Sequence, residues 1–188
     1  MNIDFSDKTI IVTGATRGIG KSIADKLYQL NANLILTGTK FQEIAELNKK
    51  FSGTKKKYYC VDFSSDNSIS SFLEQLDLYK KIDVLVNNAG INKLNLITDI
   101  IDNDWNDMFK VNLTTPYKLI KSVSKKMILY NYGRIVNIAS IFSVISKTKR
   151  SVYTSTKAGL HGLTIGVSND LAKYNILVVL PQKPVIAN

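Results

Sequence analysis

The sequence predicts a single α/β domain, a doubly wound, Rossmann-like parallel sheet with helices on both faces. Six short apolar runs rich in β-branched residues alternate along the 188 residues with longer segments of helical spacing. Continuous apolar runs are typical of strands buried on both faces, as in parallel sheets. Strand–helix alternation requires right-handed crossovers, and these place helices on both sides of the sheet.

The six strands are expected, in chain order, at Ile10–Val12, Leu34–Leu36, Tyr58–Val61, Val84–Val86, Ile135–Ile138 and Ile176–Leu180. The first connecting segment has apolar residues at helical spacing, namely Ile19, Ile23, Leu27 and Leu30. Cys60 lies within the third run and is predicted to be a core residue. Because no linker or repeat interrupts the alternation, residues 1–188 are predicted to form one domain.

Composition excludes several classes of protein. One cysteine and one histidine provide neither an internal disulfide nor a zinc site, so no metal is predicted. No stretch approaches roughly 18 uninterrupted apolar residues, and the N-terminus lacks the features of a signal peptide, so a cytoplasmic protein without membrane contact is expected. The net charge of +10 comes from short basic clusters, which favour a solvated surface over nucleic-acid binding.

A glycine-rich loop follows the first predicted strand directly and opens a helical segment. It reads Thr13-Gly14-Ala15-Thr16-Arg17-Gly18-Ile19-Gly20. In this context Gly14 permits a tight strand exit, Gly18 allows close approach to a pyrophosphate, and Gly20 lets the helix pack on the strand. The helix amides would then face the phosphates of a dinucleotide. A turn that serves packing only is the alternative.

Further motifs follow in order along the chain. Asn87-Asn88-Ala89-Gly90 follows the fourth strand, Asn112 lies in a later helix, Ser140 follows the fifth strand, and Tyr153 and Lys157 open the next helix. From Ile10 to about Ile176 the chain resembles the short-chain dehydrogenases/reductases, in particular their 3-oxoacyl-carrier-protein-reductase-like branch. The resemblance implies an oxidoreductase that transfers hydride between a nicotinamide cofactor and a carbonyl group.

Tyr153 and Lys157 are four residues apart and so share one face of a helix. A free phenol has a pKa near 10, and a neighbouring ammonium group favours the phenolate and lowers that pKa. By resemblance, Tyr153 protonates the developing alkoxide, Lys157 also bonds the nicotinamide ribose, Ser140 holds the substrate carbonyl oxygen, and Asn112 orders a water that joins Lys157 to solvent. Reduction of a carbonyl to an alcohol is the expected reaction.

The end of the second strand indicates which nicotinamide cofactor is used. NAD-binding enzymes place a carboxylate about 20 residues after the glycine loop, to bind the ribose 2′-hydroxyl. Here the segment reads Leu36-Thr37-Gly38-Thr39-Lys40 and has no carboxylate. Arg17 and Lys40 can supply positive charge to a 2′-phosphate, with Thr39 as a hydroxyl donor, so NADP(H) is predicted over NAD(H). For Lys40, a solvated helix-start residue is the alternative.

The resemblance implies the rest of the cofactor site. Asp62 would hold the adenine amino group, although an Asp that caps a helix is a competing role. Asn88, Ala89 and Gly90 would leave room beside the adenosine ribose and stabilise the central strand. The complete set is Gly14, Thr16, Arg17, Gly18, Ile19, Gly20, Thr39, Lys40, Asp62, Asn88, Ala89, Gly90, Tyr153 and Lys157.

The loop before Tyr153 indicates the substrate class. It contains Lys147, Lys149 and Arg150, and such charge attracts an anionic or carrier-protein-linked carbonyl substrate, with Arg150 as the expected contact. Solvation of an exposed loop is the alternative.

The C-terminal segment departs from the family pattern. Pro181-Gln182 stands where the family has Pro-Gly, and the family's substrate lid and last strand are expected to be missing. A homo-oligomer is expected if the C-terminus permits. The alternative function is that of a truncated, catalytically weak dinucleotide-binding or subunit-interaction protein.

Overall fold

The computed structural model describes residues 3–181, and these form one six-stranded, fully parallel sheet in the order β3-β2-β1-β4-β5-β6. The strands are β1 Thr9–Val12, β2 Asn33–Gly38, β3 Lys56–Cys60, β4 Val84–Asn87, β5 Gly133–Asn137 and β6 Ile176–Val179. The doubly wound α/β prediction is therefore confirmed. None of the helices in this part of the chain has both the length and the hydropathy to span a bilayer.

Within residues 3–181, six α-helices connect and cover the strands, and short turns of other helix types join some of them. The α-helices are α1 Gly18–Gln29, α2 Phe41–Lys50, α3 Asp66–Asp77, α4 Asp102–Phe109, α5 Thr115–Leu129 and α6 Ser151–Leu171. A π-helical turn at Lys110–Thr114 links α4 to α5, and 3₁₀ turns lie at Ile141–Ser143 and Ala172–Tyr174.

Alternate residues of the central strand face two separate cores. Ile10 and Val12 contribute to the core beneath α1 and α2. Ile11 is buried in the core beneath α3, α5 and α6, and it has no exposed surface. Because side chains alternate between the faces of a strand, a continuous apolar run is what a strand covered on both sides needs. The sequence interpretation of these runs is confirmed for the central strands.

The prediction that Cys60 is a core residue is wrong. Its side chain is exposed, and its Sγ lies 3.6 Å from the carbonyl oxygen of Thr39. The reason is that β3 is an edge strand that pairs only with β2, so burial along it is irregular. An apolar run in the sequence does not reveal which strands lie at the edge.

The sixth strand lies at the opposite edge, beside β5. Its side chains alternate between buried and exposed, because only one of its faces is covered in the described part of the chain. Leu177 and Val179 are 53% and 50% exposed. One apolar face of this edge strand is therefore open to solvent in residues 3–181.

Asp83 joins the three central strands at the end opposite the glycine loop. Its carboxylate is fully buried, with one oxygen accepting from the Thr9 amide at 2.9 Å and the other 2.8 Å from the Nζ of Lys81. Its own amide donates to the Thr9 carbonyl, and its carbonyl accepts from the Arg134 amide. One residue thus ties β1, β4 and β5 together.

We expect Asp83→Ala to lower the free energy of unfolding by roughly 1–3 kcal/mol, because it leaves the partly buried Thr9 amide without its side-chain acceptor. Urea titration measures this loss. Asp83→Asn is the matched control, since it keeps an oxygen for Thr9 and removes only the charge opposite Lys81. If the two variants lost the same stability, the Thr9 hydrogen bond would not be the cause.

Candidate active site

A cleft of about 340 Å³ opens at the carboxyl ends of β1 and β4, where the strand order reverses direction. Open α/β sheets bind ligands at such a switch point. The cleft continues into a second space of about 170 Å³ that contains Tyr153 and Lys157. Asn88, Gly90 and Ile91 line both spaces. The two spaces therefore adjoin and form one groove along the carboxyl-terminal edge of the sheet, with the glycine loop at one end and the Tyr153–Lys157 pair at the other.

The three glycines of the loop lie in different backbone conformations and different surroundings. Gly14 and Gly18 have φ angles of +64° and +55°, in the left-handed region that favours glycine. No atom of residues 3–181 lies within 4 Å of a Cβ built on Gly18, so that backbone faces open space in the described structure. A Cβ on Gly20 would lie 2.2 Å from the Gly14 carbonyl oxygen, which makes Gly20 the close-packing position.

The N-terminus of α1 points into this cleft and is suited to an anion. In the described part of the chain, no side chain caps this helix end, and its first turn has no acidic residue. By contrast, α3 is capped by Ser65, which accepts from the Ser68 amide. Free helix amides and the positive end of a helix dipole bind phosphate. The loop and helix therefore fit the pyrophosphate of a dinucleotide.

Of the residues predicted to select the cofactor, Arg17 and Thr39 line the cleft, and Lys40 lies outside it in residues 3–181. Arg17 is the exposed N-cap residue of α1 and lines the cleft together with Thr16 and Thr39. Lys40 is the exposed N-cap residue of α2 and does not line this cleft in residues 3–181. The helix-start alternative for Lys40 thus describes its position. Arg17 is the better-placed cation.

Asp62 lines the cleft and does not cap a helix. Its Oδ1 accepts from the backbone amide and the hydroxyl of Ser64, at 2.9 and 2.7 Å. The cap of the following helix is Ser65, so the helix-capping alternative for Asp62 is wrong. The Ser64 bonds hold the carboxylate in a fixed turn at the rim of the cleft.

Thr13 and Asn88 hold the glycine loop in place. The Thr13 Oγ1 accepts from the amides of Asn88 and Ala89, both at 2.9 Å. The Asn88 Nδ2 donates to the carbonyls of Thr13 and Gly14, at 2.9 and 3.1 Å. This role of Thr13 was not among the sequence predictions. A hydroxyl residue between the first strand and Gly14 was the available signal.

Tyr153 and Lys157 lie on one face of α6, as their spacing predicts. The Lys157 Nζ is 5.8 Å from the centroid of the Tyr153 ring and donates to the Ile138 carbonyl at 3.0 Å. Lys157 is only 5% exposed. The buried ammonium is thus held at the end of β5 and beside the phenol, at the inner end of the groove.

Ser140 hydrogen bonds the Tyr153 phenol. The pKa of this phenol differs from the expectation. Burial raises the pKa of Tyr153 above its ordinary value, and this effect exceeds the lowering by a hydrogen bond with Ser140 and by the charge of Arg150. The expected net lowering of the Tyr153 pKa is therefore wrong for this structure. Spacing along a helix does not reveal how much burial opposes a nearby charge.

Asn112 lies in the π-helical turn between α4 and α5, and its side-chain amide is engaged on both sides. Its Oδ1 accepts from the Ile91 amide at 2.9 Å, and its Nδ2 donates to the Ile91 carbonyl at 2.8 Å and to Thr156 Oγ1 at 3.1 Å. A Cβ on Gly90 would lie 3.3 Å from Asn112 Oδ1 and 3.8 Å from Lys157 Nζ. The side chains of Asn112 and Lys157 therefore both lie beside Gly90, and the Ile91 hydrogen bonds of Asn112 hold the loop after β4.

The loop before α6 brings one of its basic residues to this group. Arg150 is the N-cap residue of α6 and lies over the ring of Phe142, whereas the side chains of Lys147 and Lys149 are exposed. Phe142 in turn contacts Tyr153 edge to face. Arg150 is therefore the cation of this loop that lies next to the predicted acid.

Comparison of the sequence with known proteins agrees with this geometry. The sequence pattern of the short chain dehydrogenase family matches residues 8–186. The 3-oxoacyl-[acyl-carrier-protein] reductase FabG of Aquifex aeolicus strain VF5 is 37% identical over 182 residues, which cover 95% of this chain and 73% of that protein. FabG of Escherichia coli strain K12 is 33% identical over 177 residues, covering 94% of this chain and 72% of that protein.

Solved structures of similar fold include proteins with a bound dinucleotide. A metagenomic short-chain oxidoreductase in complex with NADP superposes with a TM-score of 0.88 at 30% identity, covering 97% of this chain and 84% of that chain. A gluconate 5-dehydrogenase from Burkholderia cenocepacia J2315, in complex with NADP and tartrate, gives a TM-score of 0.85 at 26% identity, covering 96% and 73% of the two chains.

Proposed function

This chain belongs to the short chain dehydrogenase family, and we propose that it is an NADPH-dependent oxidoreductase that reduces a carbonyl group to an alcohol, with Tyr153 as the proton donor. The observation that carries the proposal is the continuous groove between the glycine loop and the Tyr153–Lys157 pair. A dinucleotide held by the loop would extend along this groove toward the phenol. Residues 1–188 would act as one dinucleotide-binding catalytic domain.

Four side chains take part in proton transfer in this proposal, namely Tyr153, Ser140, Lys157 and Asn112. The cofactor, when bound, supplies the hydride for the carbonyl carbon. Tyr153 donates a proton to the carbonyl oxygen as negative charge develops there. Ser140 hydrogen bonds both this oxygen and the phenol, and Lys157 supplies positive charge beside the phenolate that remains. Asn112 keeps Ile91 and Gly90 in place beside Lys157, and orders the water through which the lysine exchanges protons with solvent.

The preference for NADP(H) is proposed from charge at the cleft rim. Arg17 lines the cleft, and no carboxylate follows β2 in the segment Gly38-Thr39-Lys40. Arg17 would bind the 2′-phosphate through charge-assisted hydrogen bonds, with Thr39 as a second donor and Lys40 adding positive charge nearby. The similar structures that contain NADP support this assignment.

We expect the chain to bind NADPH more tightly than NADH, and Arg17→Gln to weaken NADPH binding by roughly tenfold while NADH binding stays unchanged. A charge-assisted hydrogen bond of about 1.5 kcal/mol accounts for this factor. Fluorescence titration with the two dinucleotides measures both constants. Lys26→Gln, which removes an exposed lysine from the last turn of α1, is the control. Equal loss of affinity for NADH would exclude a 2′-phosphate contact.

The substrate is proposed to be a carbonyl compound that carries an anionic group or is linked to a carrier protein. Arg150, at the edge of the active site, is the cation placed to bind the anion. The names of the FabG relatives and the tartrate in the gluconate 5-dehydrogenase structure support an acidic substrate. Turnover with acetoacetyl thioesters, followed by loss of NADPH absorbance, tests the reaction. NADPH binding without any turnover would favour the alternative, a catalytically weak dinucleotide-binding or subunit-interaction protein.

A further inference from the structure

Arg150, Phe142 and Tyr153 form a stack of contacting side chains at the N-terminus of α6. The guanidinium carbon of Arg150 lies 4.8 Å from the centroid of the Phe142 ring. The rings of Phe142 and Tyr153 are 6.2 Å apart with their planes at 73°, an edge-to-face contact. The cation is thus one ring away from the phenol, and a flat guanidinium on an aromatic face is a favourable arrangement.

Backbone hydrogen bonds fix both ends of this stack. The Phe142 amide donates to the Ser140 Oγ at 3.3 Å, which places the ring just after a predicted active-site residue. The Arg150 amide donates to the Lys147 carbonyl at 3.1 Å, and the Arg150 carbonyl accepts from the Thr154 amide at 2.8 Å. Phe142 and Arg150 are both partly buried, so the contact is not that of a freely moving surface side chain.

The positive charge of Arg150 has no ion-pair partner in the described part of the chain, since no carboxylate of residues 3–181 lies within ion-pair distance of its guanidinium. Arginine also stays protonated over the whole range in which proteins are studied. Tyr153 therefore lies one aromatic ring away from a permanent positive charge.

We propose that Arg150 is a positioning residue: held on the Phe142 ring, it stabilises the phenolate of Tyr153 and so sets the pH range in which that residue exchanges its proton. The inference rests on the proposed function, in which Tyr153 is the acid. It goes beyond that function because Arg150 acts on an enzyme residue, with or without an anionic substrate.

The hydroxyl and charged groups beside Tyr153 include Ser140, Lys157 and Arg150, and Asn88 and Asn92 line the same space. Ser140 and Lys157 are part of the active-site group itself, and Lys157 Nζ is 5.8 Å from the ring centroid. Arg150 comes from the loop before α6. Burial raises the pKa of Tyr153, and both the Ser140 hydrogen bond and the Arg150 charge lower it. Of the two groups that lower this pKa, only Arg150 can be exchanged without altering a residue assigned to proton donation, ribose binding or contact with the carbonyl oxygen.

Direct titration of the phenol tests the inference without any turnover. The phenolate absorbance of Tyr153 is obtained by subtracting the titration of the matching protein that also carries Tyr153→Phe. A positive charge favours the ionised phenol, so Arg150→Gln is expected to raise the pKa of Tyr153. Arg150→Lys keeps the charge and is expected to restore most of the original value. Lys125→Gln, on the exposed face of α5, removes one charge far from the stack and is expected to leave the pKa in place.

Kinetics with a neutral ketone and its alcohol provide the second readout. Oxidation of the alcohol needs the phenolate and therefore increases as pH rises through the Tyr153 pKa. In Arg150→Gln this increase is expected at higher pH, with KM for the neutral substrate nearly unchanged. Phe142→Leu removes the ring that supports the guanidinium and is expected to shift the pH profile of alcohol oxidation to higher pH as well.

An unchanged Tyr153 titration in Arg150→Gln would overturn the inference, as would a lysine variant that behaves like glutamine. An effect confined to KM for anionic substrates would also overturn it, because Arg150 would then be a substrate contact alone. If the unmodified chain showed no turnover, the proposed function would fail, and the absorbance titration would still decide whether Arg150 acts on Tyr153.

Discussion

Replacing Tyr153 with phenylalanine is expected to lower kcat/KM for carbonyl reduction by roughly 100- to 10,000-fold, the range typical of a lost general acid. The ring and its edge-to-face contact with Phe142 are retained, so the change removes only the hydroxyl. Because the phosphates are proposed to bind at the glycine loop, at the other end of the groove, loss of the Tyr153 hydroxyl is expected to weaken NADPH binding by about tenfold at most, the cost of one hydrogen bond. Steady-state rates and fluorescence titration of the same preparation measure the two effects.

Tyr117→Phe is the matched control, since it removes a phenol hydroxyl from a side chain on the exposed surface of α5. It is expected to leave kcat/KM at the original value. If Tyr153→Phe retained full turnover, Tyr153 would not be the proton donor. If it lost NADPH binding to the same extent as turnover, the phenol would serve to hold the cofactor.

The second large effect is expected from Gly20→Ala in the glycine loop. Alanine normally stabilises a helix relative to glycine by about 1 kcal/mol. Here the added Cβ would lie 2.2 Å from the Gly14 carbonyl oxygen and 2.4 Å from the Asn88 Nδ2, so the loop or the helix must move. We expect the free energy of unfolding to fall by roughly 1–3 kcal/mol. NADPH binding is expected to be lost, because the displaced Gly14 carbonyl and Asn88 side-chain amide shape the glycine loop that is proposed to bind the phosphates.

Gly162→Ala in α6 is the control, because nothing lies within 4 Å of the Cβ that it would add. This variant is expected to be as stable as the original protein or more stable by about 0.5–1 kcal/mol. Urea unfolding and NADPH titration of both variants complete the comparison. A Gly20→Ala protein with unchanged stability and NADPH affinity would show that close packing at this position is not required.

The strand positions were predictable from the sequence to within a few residues, because each strand of a doubly wound sheet needs an apolar run. The six runs correspond to β1–β6, and the glycine loop lies between β1 and α1 as expected. The position of Tyr153 and Lys157 on one helix face followed from their spacing alone. These predictions depend only on residues close together in the chain.

Other features could not be predicted in this way. The exposure of Cys60 depends on β3 being an edge strand, and the two-sided hydrogen bonding of Asn112 depends on the approach of Ile91 and Thr156. The net rise in the Tyr153 pKa depends on burial by distant segments. Each of these properties is a balance between residues that are far apart in the sequence.

Local patterns of hydrophobicity, glycine placement and helical spacing were enough to predict the alternation of strands and helices, the glycine loop and the side chains available for proton transfer. Two features became visible only in three dimensions: among residues 3–181 Arg17 lines the cleft and Lys40 does not, and Arg150 lies one aromatic ring from Tyr153. The physical reason is that electrostatic and packing energies depend on distances through space. Those distances are set when the sheet brings separate segments of the chain together.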